Sequence, residues 1–230
     1  MVATYPGRSI HVISMRSGIG NNCINVLSLH PFVSRSLKMS KDKSNTMQGL
    51  WSKFRQGLAL HVEDVETVLL TNSGANEKVL QELEAFTGTD LPDDYREFML
   101  LHDGQKLTGG FSYGVRFYSI QTVLDWSKDW DAEHKSFNER GQKPEIFPRI
   151  KGDLNWRIRW IVIAGDSVDH WVMDLDPCEE ENQGQIFELD ENFFIGRIVA
   201  DSFSQLIESA TDQLVTKRLS ASLPVRYEFD

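Results

Sequence analysis

Apolar residues recur along this chain with two periods, and the change from one to the other divides it. From Leu50, the stretch LWSKFRQGLALHVEDVETVLL sets Leu50, Trp51, Phe54 and Leu58 at i, i+1, i+4 and i+8, the spacing of a helix with one apolar face. Gly57 is expected to weaken its continuation. After a loop at 71–76, Asn76 caps a helix over Glu77–Thr87, where Val79, Leu83 and Phe86 repeat at i, i+4 and i+7 beside Leu80. Gly88 closes it. The best-punctuated segment is LPDDYREFMLLHDGQ, Leu91 to Gln105. Pro92 suits a first helical turn, and Asp93 and Asp94 sit where the helix dipole favours negative charge. Tyr95, Phe98, Met99 and His102 share a face at i, i+3, i+4 and i+7, and Gly104 supplies the left-handed residue expected to end a helix over 92–103.

Beyond a glycine-bearing loop at 106–114 the period shortens. Val115–Ile120 (VRFYSI) is β-prone, then Val123, Trp126 and Trp130 return to i, i+3, i+7 and predict a helix over 120–134. A polar, proline-punctuated loop runs to Trp156. Three strands are predicted over 160–164, 170–175 and 184–189, separated by Asp- and Gly-bearing turns that favour antiparallel pairing. A last helix opens on a capping box, Ser202 with Gln205. Its stripe is Phe203, Leu206, Ile207, Ala210 and Leu214, and Lys217 and Arg218 complement its negative end. This order predicts an α+β fold: one domain of helices packed on a central, largely antiparallel sheet, with a C-terminal helix.

Residues 1–46 differ from the rest, with much Ser, Gly, Asn and Arg and little periodicity. They divide the chain into a basic extension at 1–46, a domain at 47–220 and a tail at 221–230. Three readings of the extension compete: a transit peptide, which would make the protein mitochondrial rather than cytoplasmic; a disordered basic tail; and an upstream extension of a gene whose true start is Met39 or Met47, the reading favoured here. GIGNN at 18–22 lacks the Lys-Ser/Thr of a phosphate loop and the third glycine of a dinucleotide fingerprint. Cys23 and Cys178 lie far apart with no CxxC spacing, which argues against a disulfide scaffold and a structural zinc site and agrees with a reducing compartment. No apolar run approaches the ~20 residues of a membrane span.

Charge sharpens the division. Residues 1–43 hold six basic groups and one acid, a balance of +5, which leaves −15 on the remainder. A body that acidic repels phosphate backbones, so no nucleic-acid role is expected. A basic protein partner is electrostatically permitted.

Six fragments in order resemble the SUKH superfamily, specifically the fungal cell-wall-assembly regulators of the Smi/Knr type and their bacterial relatives. They are the acidic helix Glu77–Thr87; the LP-start helix closing on His102-Asp103-Gly104-Gln105; the tryptophan strand Trp160–Ala164, with Val162 where the family usually has proline; Asp174-Leu175-Asp176-Pro177; Gly184-Gln185-Ile186; and Ala200, Ser202 and Phe203 opening the last helix. The resemblance covers 50–219. It implies a non-catalytic interaction module with no cofactor, in which Leu91, Pro92, His102, Asp103, Gly104, Gln105, Trp160, Asp174, Asp176, Pro177, Gly184, Gln185, Ser202 and Phe203 are mainly structural. Relatives often place a Gly pair before D-L-D-P. Here Gly165–His170 reads GDSVDH, so that turn departs from the pattern.

Residues that invite chemistry have plainer readings. His102-Asp103 suggests the metal-binding pair of phosphohydrolases, but that chemistry needs further His or Asp ligands and a mid-helix position. A protonated His at a helix C-terminus is favourable by itself. The acids Asp166, Asp169, Asp174, Asp176 and Glu179, Glu180, Glu181 suggest a cation site yet lack an EF-hand's alternating ligands. A solvated turn, or contact with a basic partner, accounts for them. Cys178 beside three glutamates is a poor thiolate. Most tryptophans are expected in the core. Trp156 and Trp171, next to turns, are expected to be partly exposed, and with Asp166, Asp169 and Glu179–Glu181 they form the candidate partner-binding set.

Two interaction readings share this fold, a cell-wall regulator that scaffolds signalling partners and an immunity protein that neutralises a secreted toxin such as a nuclease; an enzyme of unknown type is the remote third. Neither the partner nor the oligomeric state is legible in the chain. A chain beginning at Met47 is expected to melt at the same temperature as the full chain; a large drop would show that residues 1–46 pack onto the body.

Overall fold

A computed structural model describes residues 46–106, 111, 115–137, 149–150, 158–166, 169–190 and 195–216, with side chains of 132–137 left out. Trp156, Lys217, Arg218, Cys23, the GIGNN stretch and the tail at 221–230 lie outside the described residues. Helix α1 spans Met47–Leu58 and buries Leu50, Trp51, Phe54 and Leu58, as its spacing predicts. Gly57 sits inside α1. A Cβ there would lie 3.2 Å from Leu214 Cβ, so the missing side chain lets the last helix approach. A short helix, α2 over Val65–Leu69, is not signalled by the apolar spacing; the Asp64 carboxylate caps it by accepting from the Glu66 and Thr67 amides.

Helix α3, Glu77–Thr87, has the predicted bounds, with Asn76 as N-cap and Gly88 left-handed at φ +69°. Its buried line is Leu80, Leu83 and Thr87, flanked by the partly buried Val79 and Phe86. Helix α4 is shorter than predicted, Asp93–Leu101, with Pro92 at the N-cap rather than inside the first turn. Tyr95, Phe98 and Met99 are buried on one face. The chain leaves the helix at His102, which is extended, and the Asp103 amide donates to the Ser73 carbonyl (3.1 Å). Gly104 is left-handed as expected, φ +66°, but it lies two residues past the C-cap His102, so the helix ends before it.

Strand β1 is only Arg116–Phe117, because Ile120 already opens helix α5, Ile120–Phe137. Strands β2 (Trp160–Gly165), β3 (Asp169–Asp174) and β4 (Gln185–Asp190) occupy the three predicted stretches. Strand β5, Ile195–Ala200, is absent from the sequence-based expectation; Gly196 and Arg197 interrupt its alternation. The five strands form one antiparallel meander in the order β1-β2-β3-β4-β5, with a bulge between Val162 and Ala164. Helix α6, Phe203–Val215, buries all five predicted stripe residues, and the Ser202 hydroxyl caps it through the Gln205 amide.

Both sheet faces are covered. On one, His170 of β3 packs against Trp126 and Trp130 of α5. On the other, Trp171 and Phe117 meet, and Phe117 packs on Phe98 of α4 and Phe203 of α6. Among the described residues no helix is long and apolar enough to cross a membrane.

Thr46 refines the truncation expectation. Its hydroxyl accepts from the Gly49 amide at 3.2 Å and caps α1. A chain begun at Met47 is expected to be about 1 kcal/mol less stable than one begun at Asn45, measured by urea unfolding; equal midpoints would show that solvent replaces the cap completely.

Candidate functional site

The residues that carry the family resemblance are joined to one another inside the fold. In the His102–Gln105 turn, the His102 ring packs against Trp51 and Phe98, with centroids 5.6 and 6.0 Å away. Burial there pulls the imidazole pKa below its ordinary value, with the Asn72 hydrogen bond opposing and Arg55 adding to the fall. Burial thus works against the protonated ring, in opposition to the stabilisation a helix C-terminus offers it. The Asp103 carboxylate accepts from the Ile120 amide at 2.6 Å and anchors the start of α5. Burial raises its pKa, partly offset by that bond. At Gly104 a Cβ would lie 2.5 Å from the Tyr118 carbonyl, so φ and space both require glycine. The Gln105 side chain accepts from the Phe117 amide (3.0 Å) and donates to the Leu69 carbonyl (2.7 Å), tying β1 to the end of α2.

A second knot lies at the far end of the sheet. Asp174, fully buried, accepts from Trp160 Nε1 (3.1 Å), the Asp176 amide (2.9 Å) and Gln185 Nε2 (3.0 Å), so one carboxylate joins β2, β3 and β4. Gly184, φ +92°, has Pro92 against it; a Cβ there would come within 2.8 Å of Pro92 Cγ. The Leu91 amide donates to Glu84 (3.3 Å), and Asp94 accepts from the Ser204 amide (2.7 Å). Pro177 is buried, Asp176 lies 3.8 Å from Arg159, and Phe203 is in the core.

The candidate partner-binding set is not one patch. Trp171 is only 3% exposed, held between the sheet and Phe111, so its expected exposure is corrected: adjacency to a turn did not outweigh its inward register on β3. Asp166 and Asp169 bracket the β2–β3 turn, where the Asp169 amide donates to the Asp166 carboxylate at 2.8 Å. Glu179, Glu180 and Glu181 are exposed at the opposite end, leading into a 3-10 turn at Glu180–Asn182. The six residues of β3 separate the two groups by roughly 17 Å. Cys178 is half-buried just before these acids, its amide donating to the Arg149 carbonyl at 3.2 Å. Among the described residues no group of three or more His, Cys, Asp or Glu is placed to hold a metal ion.

Among the described residues, two surface grooves stand out. One of about 580 Å³ runs between α1, α2 and the end of α4, lined by Trp51, Arg55, Val65, Leu101 and His102 among others; Arg55 is paired with Glu66. The other, about 330 Å³, is lined by Thr89–Asp93 and Gln183. Sequence reasoning also placed Trp126 and Trp130 in the core, whereas both remain half-buried around His170. The signal was present in their i, i+4 spacing, with each indole directly after an acid, Asp125 or Asp129.

Asp174 yields a test. Burial raises its carboxyl above the ordinary aspartate range, against the opposing hydrogen bonds from Asp176, Gln185 and Trp160. A folded-state pKa above the unfolded one means that the fold holds the proton more tightly. This group's contribution is full below the unfolded aspartate pKa and is lost as pH rises through the folded value. Asp174→Asn removes the titration and keeps an acceptor for Trp160 and Asp176, so its unfolding free energy should fall less than wild type as pH rises from about 4 toward neutrality. Asp174→Ala leaves donors unpaired at about 1–3 kcal/mol each and should be clearly less stable than Asp174→Asn. Superimposable pH profiles for wild type and Asp174→Asn would refute the shift.

No curated protein matches the chain. The sequence pattern of the SMI1 / KNR4 family (SUKH-1) matches residues 74–209, from the loop before α3 into α6. Helix α1, outside the matched span, packs on α4 and α6 and completes the same body. The matched span covers more than half of the 230 residues and includes both motif knots, and the chain belongs to the SMI1 / KNR4 family (SUKH-1).

Proposed function

We propose that this protein is a non-catalytic protein-interaction module of the cytoplasm that acts as a regulator of cell-wall assembly by scaffolding signalling partners. The observation that supports this reading most is where the motif's polar groups are used. The Asp103, Gln105 and Asp174 side chains are all hydrogen-bonded within the fold, holding α5, β1 and the β2–β4 register. The polar chemistry of the family motifs is thus scaffold, and recognition is left to the surface.

A second reading, a toxin-neutralising immunity protein, is favoured by the charge. The net charge is −10, and Glu179, Glu180, Glu181 and Asp169 are exposed at the two ends of β3. A nuclease must itself be basic to hold its substrate. A toxin gene beside this one supports that reading; a walled fungal host without one supports the regulator.

Affinity capture from the native host, with mass-spectrometric identification, should return a stable protein partner. Association of a basic partner should be fast at low salt and far slower at high salt. Charge reversals at Glu179–Glu181 and at Asp166 with Asp169, made separately, assign the face. Salt-independent association of the captured partner would count against electrostatic recognition, and failure to capture any partner would overturn the module reading.

A further inference from the structure

The sheet face covered by α5 carries an aromatic group that the motif knots do not use. Trp126 and Trp130, one turn apart on α5, stack with ring centroids 5.7 Å apart at an interplanar angle of 22°. The His170 ring meets both nearly edge-on, at 5.3 and 5.4 Å. All three side chains are half-buried, although indoles this close to a sheet would ordinarily be enclosed.

Register places the neighbouring groups. Gly165 lies opposite both His170 of β3 and Arg116 of β1, which brings Arg116 to the same end of the same face. Its guanidinium already rests over the Tyr118 ring, 5.6 Å from the centroid. Asp166 and Asp169 close the turn alongside; both act electrostatically on His170, and Asp166 also acts on Tyr118. Asp169 is exposed and Asp166 half-buried.

Electron-rich indole faces attract cations within about 6 Å of the ring, and a planar guanidinium can stack on such a face while its N–H groups reach carboxylates. We propose that Trp126, Trp130, His170, Asp166 and Asp169 form a docking surface for an arginine side chain of a basic protein partner. The guanidinium lies on an indole face and the two carboxylates at its rim accept its hydrogen bonds. Lysine supplies the charge but not the planar stack, so the surface discriminates in favour of arginine. A nucleic acid, whose bases could also stack here, is disfavoured by the acidic rim. This inference rests on the interaction reading above and assigns it a face: the β2–β3 end of the sheet, not the Glu179–Glu181 end.

The test uses the full chain, labelled at its tryptophan indoles and observed by NMR at low salt, with Trp126→Phe and Trp130→Phe to assign the signals. The probes are an acetylated hexapeptide of alternating Gly and Arg, its lysine and citrulline counterparts, and an oligothymidylate. The arginine peptide should shift the Trp126 and Trp130 signals saturably, the lysine peptide should bind at least threefold more weakly, and the citrulline peptide and oligonucleotide should leave both signals unmoved. Asp166→Asn with Asp169→Asn should weaken arginine-peptide binding at least tenfold, whereas Glu179→Gln, Glu180→Gln and Glu181→Gln together should change it less than twofold. Equal losses in the two charge variants, equal binding of the lysine or citrulline peptide, saturable shifts from the oligonucleotide, or no shift at all would overturn the proposal. A captured native partner that binds the Asp166→Asn, Asp169→Asn protein as tightly as wild type would overturn this surface yet leave the interaction reading standing. Failure to capture any partner overturns that reading instead and leaves the titration to decide the surface.

Discussion

A sheet buried on both faces leaves little room for an unpaired polar group, because each one taken from water without a partner costs more than a typical hydrogen bond contributes. That constraint organises this molecule. Asp174 meets it by gathering an indole N–H, an amide and a glutamine side chain onto one carboxylate, at the row where β2, β3 and β4 come level. Gln105 meets it at the other edge, where β1 is too short to pair for long and the glutamine side chain supplies the missing partner for Phe117. The constraint is relaxed only locally: Trp51 Nε1, Tyr95 Oη, His170 Nδ1 and Gln185 Oε1 are buried side-chain atoms with no hydrogen-bond partner among the described residues.

The same constraint explains why short fragments scattered over more than a hundred residues keep company. Pro92 and Gly184 touch because the loop before β4 must pass close to the start of α4, which a Cβ at Gly184 would prevent. Asp94 reaches the start of α6 through Ser204, and Asp103 the start of α5 through Ile120. Each fragment is weak evidence of kinship when read singly, but together they are the two sides of contacts that hold helices to the sheet. A motif of this kind specifies a scaffold. It does not specify what the scaffold binds.

Function therefore falls to the surface, and the surface is divided. The acids that look like one cluster in sequence are carried to opposite ends of β3. Among the described residues, it is the β2–β3 end that carries half-buried indoles and an imidazole, with the protein's own Arg116 resting on a neighbouring ring. A partner that reads both charge and flat aromatic surface has different requirements from one attracted by charge alone, so the two ends need not share a ligand.

Much of the fold was legible along the chain because its signals are local. The stripe Phe203, Leu206, Ile207, Ala210 and Leu214 and its Ser202 cap, the Asn76 and Gly88 limits of α3, and the strands around Trp160, Trp171 and Ile186 all follow from side-chain periodicity and capping, which act over a few residues. The misses needed distant partners. Strand β5 exists because β4 pairs with it, despite Gly196 and Arg197. Burial works against a protonated His102 because Trp51, fifty-one positions earlier, packs on its ring. Trp171 is core because of its register, and Trp126 and Trp130 pack against the core yet stay half-buried. The sequence by itself determined most of the elements, their order and the kinship, since backbone preference and apolar period are local properties; α2 and β5 escaped it. Which acids are neighbours, which aromatics face outward and which carboxylate is buried were decided only by the tertiary structure, because burial and field depend on what the rest of the chain brings into contact.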